Sequence, residues 1–226
     1  MTRVESAATT LNAFDAAAAG YDAAFTQTRL GIWLRDMVRQ RVRALYSPGQ
    51  QVLELGCGTG EDAVWLAQNG LHVVATDASP VMLEIARAKV ASAGVAGNVE
   101  LELLNLNDTR TWSPGRTFDG VLSNFGPLNC LYERVPLAQA LARWLRPGGW
   151  VALVVMGPLC PWEIAWHLLH GQARVALRRF RGGATARVGG VSLPIWYPSS
   201  RRMRAEFAPF FFHVQTVGIG VWLPPT

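Results

Sequence analysis

The stretch Val52-Leu53-Glu54-Leu55-Gly56-Cys57-Gly58-Thr59-Gly60 decides how this chain folds. A short apolar run ends in glycines at alternate positions, and Glu61 to Gln68 follows at once with apolar residues at helical spacing. Glycine lets the main chain turn sharply out of a strand and admits a ligand against bare backbone at a helix N-terminus. His72 to Thr76 reads as the neighbouring strand, and Asp77 at its tip is placed to accept hydrogen bonds from both hydroxyls of a ribose. A glycine turn alone is weak evidence, whereas strand, GxGxG, helix, strand and acid in register form a specific combination. The dinucleotide fingerprint sets its last glycine one residue further on, to aim helix N-terminal amides at a pyrophosphate. Glu54 beside the loop repels a pyrophosphate and suits an ammonium group.

Working outward, the runs Val99 to Leu104, Phe118 to Ser123 and Trp150 to Met156 continue the strand series, with helices over Pro80 to Ala93 and Val135 to Leu145 between them. This alternation predicts βαβ units and a doubly wound α/β fold with a mainly parallel sheet. Upstream, the alanine-rich stretch Ala13 to Ala24 favours helix. Gly31 to Tyr46 is a second amphipathic helix, stopped by Ser47-Pro48-Gly49. Downstream the alternation breaks. The expected organisation is one domain over 1–226: an N-terminal helical cap (1–50), the ligand-binding core (51–156), a helical lid insertion (157–205) and a late strand (206–226, centred on Phe210 to Leu223).

Length and composition agree with one well-buried domain, since 226 residues are 50% hydrophobic and 16% charged. The net charge of +5 is carried almost wholly by arginine, Lys89 being the only lysine. Arginines thicken between Arg174 and Arg204, either as a solvated face or as an attractor of phosphates, an anionic membrane or an acidic substrate. The cysteines Cys57, Cys130 and Cys160 are odd in number and widely spaced, which argues against a disulfide framework or a CxxC site. Met1 to Thr10 has no signal-peptide core and no run spans a bilayer, so the expected location is the cytoplasm.

Taken together, Glu54 to Gly60, Ala75-Thr-Asp-Ala-Ser-Pro-Val-Met-Leu83, Phe118-Asp-Gly-Val-Leu-Ser-Asn124 and Leu145-Arg-Pro-Gly-Gly-Trp-Val151 resemble the class I S-adenosylmethionine-dependent methyltransferases. The likeness is to their small-molecule and quinone-type branch and covers about half the chain. Phe14-Asp15 with Gly20-Tyr21-Asp22 is similar to that branch as well. The resemblance implies a Rossmann-like fold, S-adenosyl-L-methionine as cofactor, and no metal. It implies that Gly56, Cys57, Gly58 and Gly60 hold the methionine moiety, with Glu54 reaching its ammonium. Asp77 would bind the ribose, Ala78 and Met82 would pack on the adenine, and Tyr21 would lie over the cofactor. Asn105, followed by Leu106, stands where the family usually carries an aspartate for the adenine amino group, and its amide carbonyl can accept the same bond. Ser123 and Asn124 would line the region around the sulfonium.

Other residues have two readings each. Glu163 and His167 are candidate proton acceptors in a substrate pocket, or polar positions on a lid helix; with His170 their spacing is poor for zinc. Trp162, Trp166, Leu168 and Leu169 form an apolar stripe that packs on the core, lines a pocket for a hydrophobic acceptor, or gives segment 158–180 a peripheral membrane contact. Tyr132, Trp196 and Tyr197 are candidates to close the pocket. His72 and His213 read as packing residues. Asn124-Phe125-Gly126-Pro127 has the wrong order for the Asn-Pro-Pro-aromatic motif of nucleic-acid amino methylation, and Pro147-Gly148-Gly149 reads as a helix-ending turn. The resemblance also implies a closing hairpin at the sheet edge for which little chain remains after Leu223. A missing last strand would leave an open edge that favours a homodimer. The expected activity is methyl transfer to a small apolar or aromatic acceptor. Alternatives are a silent S-adenosylmethionine-binding interaction module, a nicotinamide-dependent oxidoreductase and a nucleic-acid methyltransferase, although no nucleic-acid partner is expected from the sequence.

Overall fold

The computed structural model describes residues 13–181 and 183–220; Met1 to Thr10, read above for targeting, lies outside them. The sheet has five strands, β1 (Gln51–Leu55), β2 (His72–Asp77), β3 (Val99–Leu103), β4 (Phe118–Ser123) and β5 (Leu145–Leu153), in the order β3-β2-β1-β4-β5. Every pairing is parallel. Parallel neighbours need crossovers, and helices α3 (Glu61–Gln68), α4 (Pro80–Ser92) and α5 (Val135–Trp144) supply them. Because β1 lies between β2 and β4, the connections after β1 and β4 leave in opposite directions and open a crevice at the strands' C-terminal ends.

Two apolar clusters cover the sheet. Val52 and Leu122 join Val38 and Val42 of α2 (Arg29–Val42) and Ala63 and Leu66 of α3 on one face. Leu53, Leu55 and Val121 meet Leu137, Leu141 and Trp144 of α5 on the other. The alternation of these strand side chains between clusters is the period-2 geometry of a strand buried on both faces. β5 follows α5 directly. The ladder pairs Phe118 with Leu145 and resumes at Gly120 with Trp150, so Pro147-Gly148-Gly149, expected as a turn, lie in a register shift of the strand.

The alanine-rich stretch is helical over 13–21 (α1) and then widens into a π-helical turn, Asp22–Thr26. The lid differs from the all-helical expectation. Helices α6 (Pro161–Leu169) and α7 (Ala173–Ala176) are followed by an antiparallel hairpin, β6 (Gly183–Val188) with β7 (Val191–Trp196). The hairpin turn abuts α1 so closely that a Cβ at Gly189 would stand 2.7 Å from the Ala13 carbonyl oxygen. Fully buried Asn129 ties the lid to the core. Its side-chain amide donates to the carbonyls of Met156 (2.9 Å) and Trp196 (2.6 Å) and its oxygen accepts from the Met156 N–H at 2.9 Å.

Helix α8 (Ser200–Phe207) returns to α5, and there the late-strand expectation fails. Over Phe211 to Gly218 the described backbone has no regular structure, although the composition suits a strand. A strand exists only beside a backbone that takes up its N–H and C=O groups, and no neighbour pairs with this segment. Val221 to Leu223 of that expected strand lie outside the described residues. His72 and His213 are exposed and do not pack: His72 opens its strand at the rim, and His213 Nε2 lies 2.9 Å from Thr216 Oγ1.

Candidate functional site

The crevice is floored by the loop after β1. Gly56, Gly58 and Gly60 all have positive φ (69°, 53° and 80°), which a side chain would strain. At Gly56 the space is also taken, because a Cβ there would meet Pro127 Cγ at 2.2 Å. At Gly58 nothing stands within 4 Å of a Cβ, so its bare backbone faces open space. Buried Cys57 donates its N–H to the Thr76 carbonyl (2.9 Å), locking the loop to β2.

Asp77 ends β2, as expected, and its two oxygens accept the backbone N–H of Gly58 and of Ser79, each at 2.9 Å. Burial raises its carboxyl above the ordinary range, against the opposing pull of those N–H groups. Each oxygen keeps a lone pair for a ligand hydroxyl. Ala78 borders the cleft half-buried, whereas Met82 is only 1% exposed and offers adenine no surface without moving. Asn105 Oδ1 accepts the Asn107 N–H at 2.9 Å in a tight local turn, and Leu106 packs on the cluster that α5 covers.

Glu54 is 2% exposed, and its Oε2 has no hydrogen-bond partner. Burial pushes its carboxyl well above the usual carboxylate range; neighbouring Asp62 adds to the rise and Arg35 opposes it. Asp62, on α3, pairs with Arg35, with Arg39 Nε (3.2 Å) and with the Asn124 amide (2.8 Å). Asn124 Oδ1 and Arg35 Nε are likewise buried without partners. Ser123 faces the other way and donates to the Leu55 carbonyl at 3.2 Å, so its hydroxyl is committed to the sheet.

Tyr21, at the end of α1, reaches the same crevice; burial raises its hydroxyl, with Arg35, Asp77, Asp22 and Asp62 as its charged surroundings. The N-terminal cap is pinned over the glycine loop at two points. Asp15 accepts from the Ser79 hydroxyl, and Asp22 takes Thr59 Oγ1 at 2.6 Å and Lys89 Nζ at 2.7 Å. An aromatic wall completes the mouth: Phe25 meets Phe125 edge to face at 5.1 Å, and the Arg35 guanidinium lies 5.1 Å from the Phe125 ring. Phe125 is the one non-glycine residue with positive φ (50°) among the described residues. Such conformations persist where surrounding structure enforces them, commonly at ligand sites.

The lid candidates do not join this constellation as free bases. Glu163 is buried and held by Arg178 (2.9 Å) and Arg179, with Arg179 over the Tyr197 ring at 4.9 Å. His167 Nδ1 contacts Gln172 Oε1 at 2.7 Å on the exposed side. Tyr132 rests edge to face on Trp196 at 5.6 Å.

A profile of the methyltransferase domain matches residues 52–149, the span that builds the glycine loop, Asp77, Asn105 and Asn124. That span is a methyltransferase domain, and the chain is similar to class I S-adenosylmethionine-dependent methyltransferases. A demethylmenaquinone methyltransferase of Clavibacter sepedonicus is 32% identical over 142 residues, 62% of this chain and 55% of the relative. A phosphoethanolamine N-methyltransferase of Triticum aestivum is 35% identical over 107 residues, 47% of this chain and 20% of the relative. This chain thus spans about half the length of the first relative and a fifth of the second. Among solved structures, the DhpI–SAH complex shares the fold with a TM-score of 0.63 at 21% identity, covering 91% of this chain and 87% of that one.

The residues present fit the family's cofactor: an orphaned buried carboxylate oxygen on Glu54, open space above Gly58, and a carboxylate with spare lone pairs on Asp77. Cofactor affinity is accordingly expected to rise with pH. Glu54 binds an ammonium only when ionised, and its raised titration in the free protein leaves it increasingly protonated as pH falls. Calorimetry across a pH series should show tighter binding at higher pH, with proton release on binding that grows as pH falls. Glu54→Gln should flatten the profile, and a flat wild-type profile would remove Glu54 from ammonium binding.

Proposed function

We propose that this chain transfers the methyl group of S-adenosylmethionine to a small apolar or aromatic acceptor held beneath the lid. The observation that carries the reading is the wall of Tyr21, Phe25 and Phe125 beside the glycine loop. Aromatic faces favour a ring-bearing acceptor through stacking and area burial. The name of the demethylmenaquinone relative points the same way.

The bound sulfonium supplies an already electrophilic methyl group. What the chain must add is orientation and exclusion of water, which can supply most of the rate. Glu54, Gly58 and Asp77 hold the two ends of the cofactor, Tyr21 and the pinned cap exclude water, and the Phe25–Phe125 pair aligns the acceptor ring. Glu163 and His167 are committed to neighbours, so the reading assigns neither as a base and favours acceptors whose nucleophile carries a lone pair at neutral pH.

The test is titration with S-adenosylmethionine and with NAD, followed by product analysis on a panel of reduced quinones, phenols and alkyl amines. Binding of S-adenosylmethionine alone, with methylated ring compounds as products, is expected. Binding with only aliphatic amines methylated would overturn the acceptor class, binding with no acceptor methylated would favour the silent cofactor-binding module, and a folded protein without S-adenosylmethionine binding would overturn the reading altogether.

A further inference from the structure

The polarity of the lid is inverted. In α6 the one buried residue is an acid, Glu163, while Trp162, Trp166 and Leu169 face outward, Leu169 85% exposed. In α7 only Ala176 is buried, and Leu177 and Phe180 continue the exposed apolar surface. A helix facing water normally turns its apolar stripe to the core. Here the interior of the lid takes the charge, neutralised by Arg178 and Arg179, and the outer surface takes the indoles. So many large apolar side chains exposed within one short segment mark an interaction surface.

The charge pattern indicates what covers it. From Pro158 to Arg181 the chain carries four arginines and one acid, and that acid is the buried, paired Glu163. Arg174 and Arg178 are exposed, so the outer face is apolar and cationic, and the segment carries no exposed carboxylate. Tryptophan and arginine together suit the water–lipid boundary, where indole rings sit at headgroup level and guanidiniums meet phosphates. A nine-residue α6 is only about 14 Å long and no helix among the described residues can cross a bilayer, so the segment lies along a surface.

We propose that the face formed by α6, α7 and Phe180 docks this protein on an anionic phospholipid bilayer. The proposal stands apart from the identity of the methyl acceptor. Flotation with vesicles of phosphatidylcholine, alone or with roughly a third phosphatidylglycerol, tests it. The wild type should float with the anionic vesicles and far less with the neutral ones. The double variant Trp166→Ser/Leu169→Ser should weaken partitioning about tenfold or more, and Arg174→Glu should erase the preference for anionic vesicles. These side chains are exposed, so unchanged thermal melting and S-adenosylmethionine binding will certify folding. No flotation of the folded wild type, or flotation unaffected by the double variant, overturns the proposal. A fall in mass from dimer to monomer on the double replacement, read by light scattering, would also overturn it, assigning the face to a second copy of the chain.

Discussion

Replacing Asp77 by alanine is expected to weaken S-adenosylmethionine binding by about two orders of magnitude or more. A carboxylate accepting from two ribose hydroxyls makes two charge-assisted bonds, each worth about 1.5–3 kcal/mol, and the lower end of that range already gives a hundredfold loss. The residue has a second duty, since its oxygens also hold the N–H groups of Gly58 and Ser79. Alanine therefore loosens the glycine loop as well, at about 1–3 kcal/mol for each donor left unpaired. Asp77→Asn is the intermediate case: its single acceptor oxygen can hold only one of the two N–H groups and its NH2 faces the other, so it should lose part of the stability and the greater part of the affinity. Calorimetric titration alongside thermal melting reads both. An alanine variant that stays folded and binds within about threefold of the wild type would take the ribose away from Asp77.

The parts of this fold legible in the sequence are those written in local spacing. β1, the glycine loop and α3 follow from an apolar run, alternate glycines and a 3.6-residue period, and all three lie where that pattern places them. β6 was not legible, because Gly-Ala-Thr-Ala-Arg-Val has small side chains and no strong alternation. The late strand failed for the opposite reason: Phe210 onward has strand composition, but pairing depends on a neighbouring backbone that composition does not report. The site divides the same way. Glu54 and Asp77 belong to loop motifs, so their positions at the crevice could be expected. Arg35, Asp62 and Phe25 carry no motif, and only the packing of α2 against α3 brings Arg35 and Asp62 together. The positive φ of Phe125 had one local hint, the glycine and proline that follow it. Glu163 looked like a candidate base because it is an acid on a lid helix, and its two arginine partners come from fifteen or so residues downstream.

A larger effect on stability is expected where no ligand is involved, at the contact between α5 and α8. Arg134 at the start of α5 has a side chain 1% exposed, yet it carries a full charge. Its Nε and Nη2 meet both oxygens of Glu206 at 2.6 and 3.0 Å, and its Nη1 donates to the Leu131 carbonyl at 2.6 Å. The two partners are not equivalent. Removing Arg134 leaves Glu206 at the edge of solvent and still bound by Arg202 at 2.8 Å. Removing Glu206 strands a buried guanidinium that cannot shed its proton. Glu206→Ala should therefore cost about 3–5 kcal/mol, and Arg134→Met, which fills the space with an apolar chain, markedly less. Urea denaturation should rank them in that order, and the reverse order would show that α8 is held by apolar packing of Met203 and Phe207 alone. The pH dependence supplies a second check with a defined sign. Burial opposes ionisation of Glu206, but the hydrogen bonds from Arg134 and Arg202 outweigh it, and its carboxyl lies below the ordinary glutamate range. A depressed carboxylate contributes stability that is fully present above its unfolded-state pKa and is lost as pH falls through the folded one. The difference between wild type and Glu206→Ala should accordingly be constant near neutrality and shrink in acid, below the unfolded glutamate value of about 4.3.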